Sequence, residues 1–145
     1  MKKDIHFILQ DDNDQSSTGA VLHVAPIVDA TTTWAPTSVD LLGYEGAEII
    51  IAAGTWTSGT QTWTIKESDT DTSFTAVATD DLRGGTGTIS ISSGGTGSKA
   101  YLRGYVGNKR YLKITGAKAS ATGAIPVAVI VLRTHAKNRG NISNY

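Results

Sequence analysis

The feature that most constrains this chain is the spacing of its apolar residues, which follows the two-residue period of β-strands. Gln61 to Glu67 alternates strictly, with Trp63 and Ile65 on one side and threonine and lysine on the other, as in a strand with one buried face. Short β-branched and aromatic runs recur between clusters of Gly, Asp, Asn and Ser. A helix needs about 10–12 residues with apolar positions three and four apart, and no window shows them. The pattern predicts an all-β chain.

Turn signals between neighbouring runs predict two hairpins. Thr57-Ser58-Gly59-Thr60 separates the two runs within Ile49 to Glu67. Gly107-Asn108-Lys109 separates Ala100–Val106 from Arg110–Thr115. Short connections that contain glycine are typical of hairpins, and closely spaced strands joined by turns favour an antiparallel β-sandwich or a jelly-roll-like barrel.

One run is apolar on both sides, and the two ends of the chain are polar. After its first residue Glu48 to Ala53 is continuously apolar, which suits a strand covered on both faces. The 145 residues fit a single domain. We expect an N-terminal strand or arm with an acidic polar loop over 1–19, a β-sandwich domain over 20–133 and a polar C-terminal arm over 134–145. These ends have two interpretations: mobile termini of a monomer, or arms that become ordered against a neighbouring subunit.

Charge and hydropathy exclude several classes of function. The chain has 13 basic and 13 acidic residues and no cysteine, so it lacks the basic excess of a general nucleic-acid or membrane-surface binder and has no thiol chemistry. Its longest apolar run, Ile125 to Leu132, is far shorter than the ~20 residues that span a bilayer. The stretch after Met1 lacks the apolar core of a signal peptide. We expect neither nucleic acid nor membrane among its partners.

The sequence carries no catalytic or metal-binding signature. Its three histidines have no paired ligand spacing, and there is no GxSxG elbow. Three glutamates could form a glycosidase-like acid–base pair, but a solvated strand end is the simpler interpretation of each: Glu45, Glu48 and Glu67. We expect no catalytic residue, no resident metal and no cofactor.

Asp69-Thr70-Asp71-Thr72-Ser73 resembles the start of a calcium loop. The turn glycine of an EF-hand is replaced by Phe74, and position twelve is Asp80 rather than Glu. Side chains that bond their own backbone in an Asx-type turn explain the segment more simply.

The three tryptophans separate two classes of function. Trp63 alternates with threonine and is predicted to face the core, whereas Trp34 lies in irregular chain and is a candidate for a contact surface. An exposed pair formed by Trp56 and Trp63 would stack on sugar rings and indicate a carbohydrate-binding module. The alternative is burial of the indoles, since each removes ~150–250 Å² from water.

Two stretches resemble small virion structural proteins of tailed bacteriophages. Lys66–Val77, followed by Asp80–Gly84, is similar to the ESxDxxSF loop and DLxG turn of these proteins. Gly104–Tyr111 (GYVGNKRY) matches their GYxGxKRY motif in full. The similarity covers roughly residues 40–135.

The resemblance implies a head decoration (cement) protein built on a β-sandwich, in some members a jelly roll. Such a protein binds the major capsid protein on the outer surface of the shell, at lattice junctions, as a dimer or trimer. It is made in the host bacterial cytoplasm, located on the virion exterior and not an enzyme. Many weak contacts suffice for this role when they are engaged together.

Two groups of residues, besides Trp34, are expected at interfaces. The first is Lys109 and Arg110 at a turn, for which the alternatives are a solvated turn or packing of Arg110 on the ring of Tyr101 or Tyr111. The second group lies in the C-terminal arm: Lys137, Arg139, Ile142 and Tyr145. Two other functions stay open, a carbohydrate- or receptor-binding module and another minor virion protein of the tail or of head completion.

Overall fold

The computed structural model describes residues 20–27, 33–34, 36–55, 59–92, 99–119 and 126–136. They form eleven strands and one 3-10 turn: β1 (Ala20–Ile27), β2 (Thr33–Trp34), β3 (Val39–Asp40), β4 (Tyr44–Ala53), β5 (Thr60–Ser68), β6 (Thr75–Ala76), the 3-10 turn (Thr79–Asp81), β7 (Leu82–Arg83), β8 (Thr88–Ser92), β9 (Lys99–Tyr105), β10 (Tyr111–Ala119) and β11 (Val127–Ala136).

The strands build two antiparallel sheets. Sheet A has the order β1-β11-β4-β9-β7, and sheet B has the order β2-β10-β5-β6, with β3 also paired to β10 and β8 also paired to β5. The two sheets pack face to face around one core, which confirms the prediction of an all-β sandwich. β11 continues to Ala136, past Arg133, where the sequence pattern places the end of the last strand.

The core lies between the sheets and is built from every second residue of the long strands. Trp63 is fully buried, as its alternation with threonine predicted. Burial of one large aliphatic side chain contributes about 1.5–3 kcal/mol. The other fully buried aliphatic side chains are Ile49, Ile51, Ile65, Ile91, Leu112, Ile114, Val129 and Val131. They fix the distance between the sheets and therefore the positions of the loops at the ends.

Both predicted hairpins are wrong. β4 lies in sheet A between β11 and β9, whereas β5 lies in sheet B, where it pairs with β10, β6 and β8. In the same way β9 belongs to sheet A and β10 to sheet B. After β4 and after β9 the chain crosses from one sheet to the other. Alternation determines which side chains face the core, but it does not choose a strand's hydrogen-bonding partner.

The described residues cover β4 on one face only. Ile49 and Ile51 point into the core and are completely buried. Ile50, on the other face, is half-buried, and Ala52 is exposed. The expectation that Glu48–Ala53 is covered on both faces is therefore met only on the inner side within the described part of the chain.

Candidate interaction surfaces

The two phage-like stretches meet at one end of the sandwich. Tyr105, the last residue of β9, donates its hydroxyl hydrogen to Glu67 Oε2 of β5 at 2.7 Å. The same hydroxyl oxygen accepts the backbone N–H of Lys109 at 3.0 Å. Burial, together with the bond to Glu67, raises the pKa of Tyr105. One phenol thus connects both sheets and the loop that follows β9.

Glu67 does not occupy the solvated strand end that the sequence suggested. It is 8% exposed and Tyr105 is 2% exposed. A carboxylate leaves water only where hydrogen bonds replace its hydration, and the Tyr105 hydroxyl supplies such a bond. The residue type alone does not show this, since the donor comes from the other sheet.

The glycine inside the GYxGxKRY-like stretch makes room for the same ring. A Cβ at Gly107 would lie 2.6 Å from Cζ and from the hydroxyl oxygen of Tyr105. No real Cβ contact is that short, so a larger residue would displace a buried ring or the loop itself. Within this stretch Gly107 and Tyr105 therefore act as one structural unit.

Lys109 and Arg110 are paired within the chain. Lys109 Nζ lies 2.6 Å from Asp69 Oδ2, and this pairing raises the pKa of Lys109. Arg110 binds both carboxylate oxygens of Asp40, through Nε at 3.0 Å and Nη2 at 2.7 Å. The arginine holds the pKa of Asp40 below its ordinary value. Because all four side chains are well exposed, water screens the pairs and they orient the loop more than they stabilise the fold.

Arg110 also packs on an aromatic ring. Its guanidinium carbon lies 4.9 Å from the centroid of Tyr111, within the range of a cation–π contact. Of the two rings considered from sequence, Tyr111 is the one for which the structure shows this contact. The loop that the sequence offered as a contact surface is tied down by its own neighbours, and its binding to another protein stays a prediction.

Trp34 is anchored in the sandwich. It lies in β2 opposite Gly116 of β10, and its half-buried side chain packs against the core. Its indole nitrogen is buried and has no hydrogen-bond partner among the described residues. The other predicted interface residues lie outside the described residues: Lys137, Arg139, Ile142 and Tyr145.

The proposed pair of sugar-stacking indoles does not form. Trp63 is 0% exposed, and its indole N–H donates to Gln61 Oε1 at 3.0 Å inside the protein. Trp56 lies outside the described residues. A platform that needs both rings on the surface is therefore excluded.

The carboxylates of the Asp69–Asp71 loop are bonded to side chains of the same protein. Asp69 binds Lys109, Asp71 accepts a hydrogen bond from Ser38, and the Ser68 hydroxyl oxygen accepts the N–H of Thr70 at 3.2 Å. The described residues contain no cluster of three or more potential metal ligands. The two aspartates thus bond side chains of other segments, whereas the sequence suggested bonds to their own backbone; a side-chain-to-backbone bond of that type is made by Ser68, just before the segment.

The outer faces of the two sheets have opposite chemistry. On sheet B most outward positions of β5, β10 and β8 carry hydroxyls or lysines that are half-buried or exposed: Thr60, Thr62, Thr64, Lys66, Lys113, Thr115, Thr88, Ser90 and Ser92. Tyr111 and Ala117 of β10 also face outward. Threonine and serine hydroxyls at these positions hydrogen-bond to water. This face is suited to solvent.

On sheet A the corresponding positions form what we call the aliphatic face: Ile50, Ala52, Ala100, Leu102, Ala128, Ile130 and Leu132. Leu102 is 51% exposed, and Val106, just beyond the end of β9, is 49% exposed. Among the described outward positions of β4, β9 and β11, Glu48 is the one charged residue. Contiguous apolar surface of this kind often marks a contact with another protein.

A shallow groove of about 570 Å³ adjoins the aliphatic face. Gly46 and Gly104 line it, and Glu45 and Glu48 border it. Glu45 is exposed and Glu48 is half-buried.

Sequence reasoning missed the aliphatic face, although a signal for it was present. The run Glu48–Ala53 is apolar at consecutive positions after Glu48, and Val127–Leu132 is apolar throughout. Consecutive apolar residues in a strand imply cover on both sides. Within the described residues, the core covers only the inner side.

Comparisons with known proteins show the fold. No family model and no curated protein matches the chain. Among solved structures, the crystal structure of PBSX exported protein XepA is similar, with a TM-score of 0.54 and 19% sequence identity. The match covers 87% of this chain and 41% of XepA, so the chain spans less than half of that protein. The likeness supports the sandwich and says nothing further about the site.

The structure also bears on membrane insertion. Within the described ranges, none of the elements is a helix long and apolar enough to cross a membrane.

Proposed function

We propose that the chain is a non-enzymatic structural protein of a bacteriophage particle, a head decoration (cement) protein that binds the major capsid protein on the outside of the shell. The single observation that carries this proposal is the contrast between the two outer faces of the sandwich. Sheet A presents mainly aliphatic side chains, and sheet B presents mainly hydroxyls and lysines.

The contrast favours a component of an assembly. Exposed aliphatic surface is unfavourable in water by about 25 cal/mol per Å², and contiguous patches of it mark protein contacts. In a phage head the available protein partners are other copies of this chain and the major capsid protein. A particle subunit whose apolar face is covered by either of these partners, and whose hydrated face meets solvent, fits this contrast.

The residues of the phage-like stretches support the same function through rigidity. Tyr105, Glu67 and Lys109 connect both sheets and a loop, and Arg110 fastens that loop to Asp40. A protein that opposes the outward pressure of packaged DNA needs such a body and needs no reactive pocket. The fold likeness to an exported PBSX protein is consistent with a particle component.

Burial of Trp63 removes the observation that would favour a carbohydrate-binding module. Particle structure therefore stays the better supported function.

The test is binding to shells. Purified protein is mixed with empty shells assembled from the major capsid protein of the same phage, and the shells are sedimented. We expect saturable binding with a fixed number of copies per capsid subunit, and no binding to shells of an unrelated phage. Absence of binding, together with absence of the chain from purified particles by mass spectrometry, would contradict the proposal.

A further inference from the structure

We infer that the aliphatic face is the contact between two copies of this chain, which pack sheet A against sheet A about a two-fold axis. This inference goes beyond the proposed function, because it concerns the purified protein and needs no capsid.

The aliphatic face has a relief that complements itself. Leu102, Ile50 and Ile130 are direct neighbours on three adjacent strands and form a row of large side chains. The parallel row of Ala100, Ala52 and Ala128 lies two residues further along the strands, about 7 Å away. The face therefore has a ridge next to a trough of nearly equal length.

A two-fold axis that runs along the rows, midway between ridge and trough, places each ridge over the partner's trough. The facing strands then run in opposite directions, and the sheets stack about 10 Å apart in the aligned manner of β-sandwiches. Ile50 of one copy lies over Ala52 of the other. Large and small side chains meet in both halves of the contact, as close packing requires.

The same arrangement places Glu48, the charged residue of the face, at the edge of the contact. Glu48 lies in the row between Leu132 and Gly104, next to the ridge and on the side away from the alanines. In the dimer this row faces the end of the partner's β4 and borders solvent. The carboxylate keeps its hydration there, whereas burial without a partner would be costly. An apolar centre with a polar rim is the usual anatomy of an interface.

The area fits a weak dimer. The four adjacent strands β1, β11, β4 and β9 are spaced about 4.8 Å apart. If they overlap with the partner over about 20 Å of their length, they cover roughly 400 Å² per copy. Projecting side chains increase the accessible surface, so both copies together bury about 1,000 Å², at the lower limit for a specific interface. We expect a dissociation constant in the micromolar range, which multiple contacts on a lattice would strengthen.

The first experiment is sedimentation equilibrium of the full chain from about 1 to 500 µM, a range chosen to bracket a micromolar dimer. Leu102→Lys places a charge on the ridge, and Ser90→Lys makes the matched change at an exposed position of sheet B. We expect a monomer–dimer equilibrium in the native protein and in Ser90→Lys, and a dimer weakened at least tenfold in Leu102→Lys. At protein concentrations below the dissociation constant, where association does not stabilise the folded state, the melting temperatures of all three should agree.

The second experiment uses the absence of cysteine from the chain. With Ala52→Cys, a short bismaleimide should join two copies, because the two positions lie close to the axis. The matched variant Ser90→Cys should give little cross-linked dimer. Equal yields from the two variants would place the contact elsewhere.

Several outcomes overturn the inference. The inference is overturned if the native protein stays monomeric at 500 µM. It is also overturned if Leu102→Lys leaves a dimer intact. A monomer that Leu102→Lys destabilises would mean that the chain covers the face itself. A monomer whose shell binding Leu102→Lys abolishes would assign the face to the capsid and leave the proposed function standing. A dimer that fails to bind shells would support this inference and contradict the proposed function.

Discussion

Tyr105→Phe tests the connection between the two sheets most directly, because it removes one oxygen atom and keeps the ring. That oxygen donates to Glu67 at 2.7 Å and accepts from the Lys109 amide at 3.0 Å. The side chains of Glu67 and Tyr105 are both buried, so water cannot easily replace the lost bonds. The buried ring, and with it the apolar contacts of Tyr105, should stay in place.

The expected loss of stability follows from the partners. A hydrogen bond to a charged group contributes about 1.5–3 kcal/mol, and a buried group left unpaired adds a desolvation penalty. We expect Tyr105→Phe to lower the free energy of unfolding by about 2–3 kcal/mol. Glu67→Leu, which leaves the O–H of Tyr105 without an acceptor, should cost about 1–3 kcal/mol. The double variant should cost clearly less than the sum, because the loss of the Tyr105–Glu67 bond is counted in both single variants and neither of these two groups is then left without the other.

The measurement is equilibrium unfolding in urea, followed by tryptophan fluorescence, which reports on the exposure of buried Trp63. Tyr111→Phe is the control, since its hydroxyl makes no hydrogen bond with the described residues and its ring stays beneath Arg110. This control should change stability by less than about 0.5 kcal/mol. The connection between the sheets would be refuted if Tyr105→Phe lowered the free energy of unfolding no more than the control does, and if the two single changes were additive in the double variant.

Four further results are expected. The pKa of Tyr105 is raised on folding, so above pH ~10 the unfolded chain releases a proton that the folded chain keeps. The free energy of unfolding should therefore fall as pH rises, by up to about 1.4 kcal/mol per pH unit from this group. Urea titrations between pH 8 and pH 11 should show that this fall is shallower in Tyr105→Phe than in the native protein. Trp63→Ala should cost about 3–5 kcal/mol in urea unfolding followed by circular dichroism, since a large cavity replaces a fully buried indole; a loss below about 1 kcal/mol would contradict its position. Gly107→Ala should cost about 1–3 kcal/mol, because its Cβ meets the Tyr105 ring, and a thermal melt that matches the native protein would show that the loop yields freely. Deletion of residues 137–145 should leave the sandwich folded by circular dichroism but weaken its sedimentation with shells, and unchanged sedimentation would reject a binding role for this arm.

The sequence determined which way side chains face more completely than which strands pair. Alternation is a property of a single strand, so the inward position of Trp63 could be predicted from Gln61–Glu67 alone. Pairing is a competition among all strands, and both edges of β4 are taken by β11 and β9. The turn around Gly107 looked like a hairpin because a tight turn is needed at a sheet-to-sheet crossing as well.

The contacts of the candidate surfaces were predictable only in part. Lys109 and Arg110 were singled out by charge, but their partners Asp69 and Asp40 are 40 and 70 residues away in the chain. No local pattern encodes such distant pairs. The aliphatic face was encoded locally, by consecutive apolar residues such as Glu48–Ala53, but its exposure became visible only when the core was found to cover one side.

The pairing of β1 with β11 has a consequence for synthesis on the ribosome. β1 is synthesised well before its partner, because Ala20 pairs with Leu132 and the whole chain between these two residues must emerge first. Closing so long a loop is entropically costly and makes late docking of β1 the expected order of events. β11 also separates β1 from β4. A nascent chain cut short within β11 therefore exposes two open strand edges, and we expect it to aggregate.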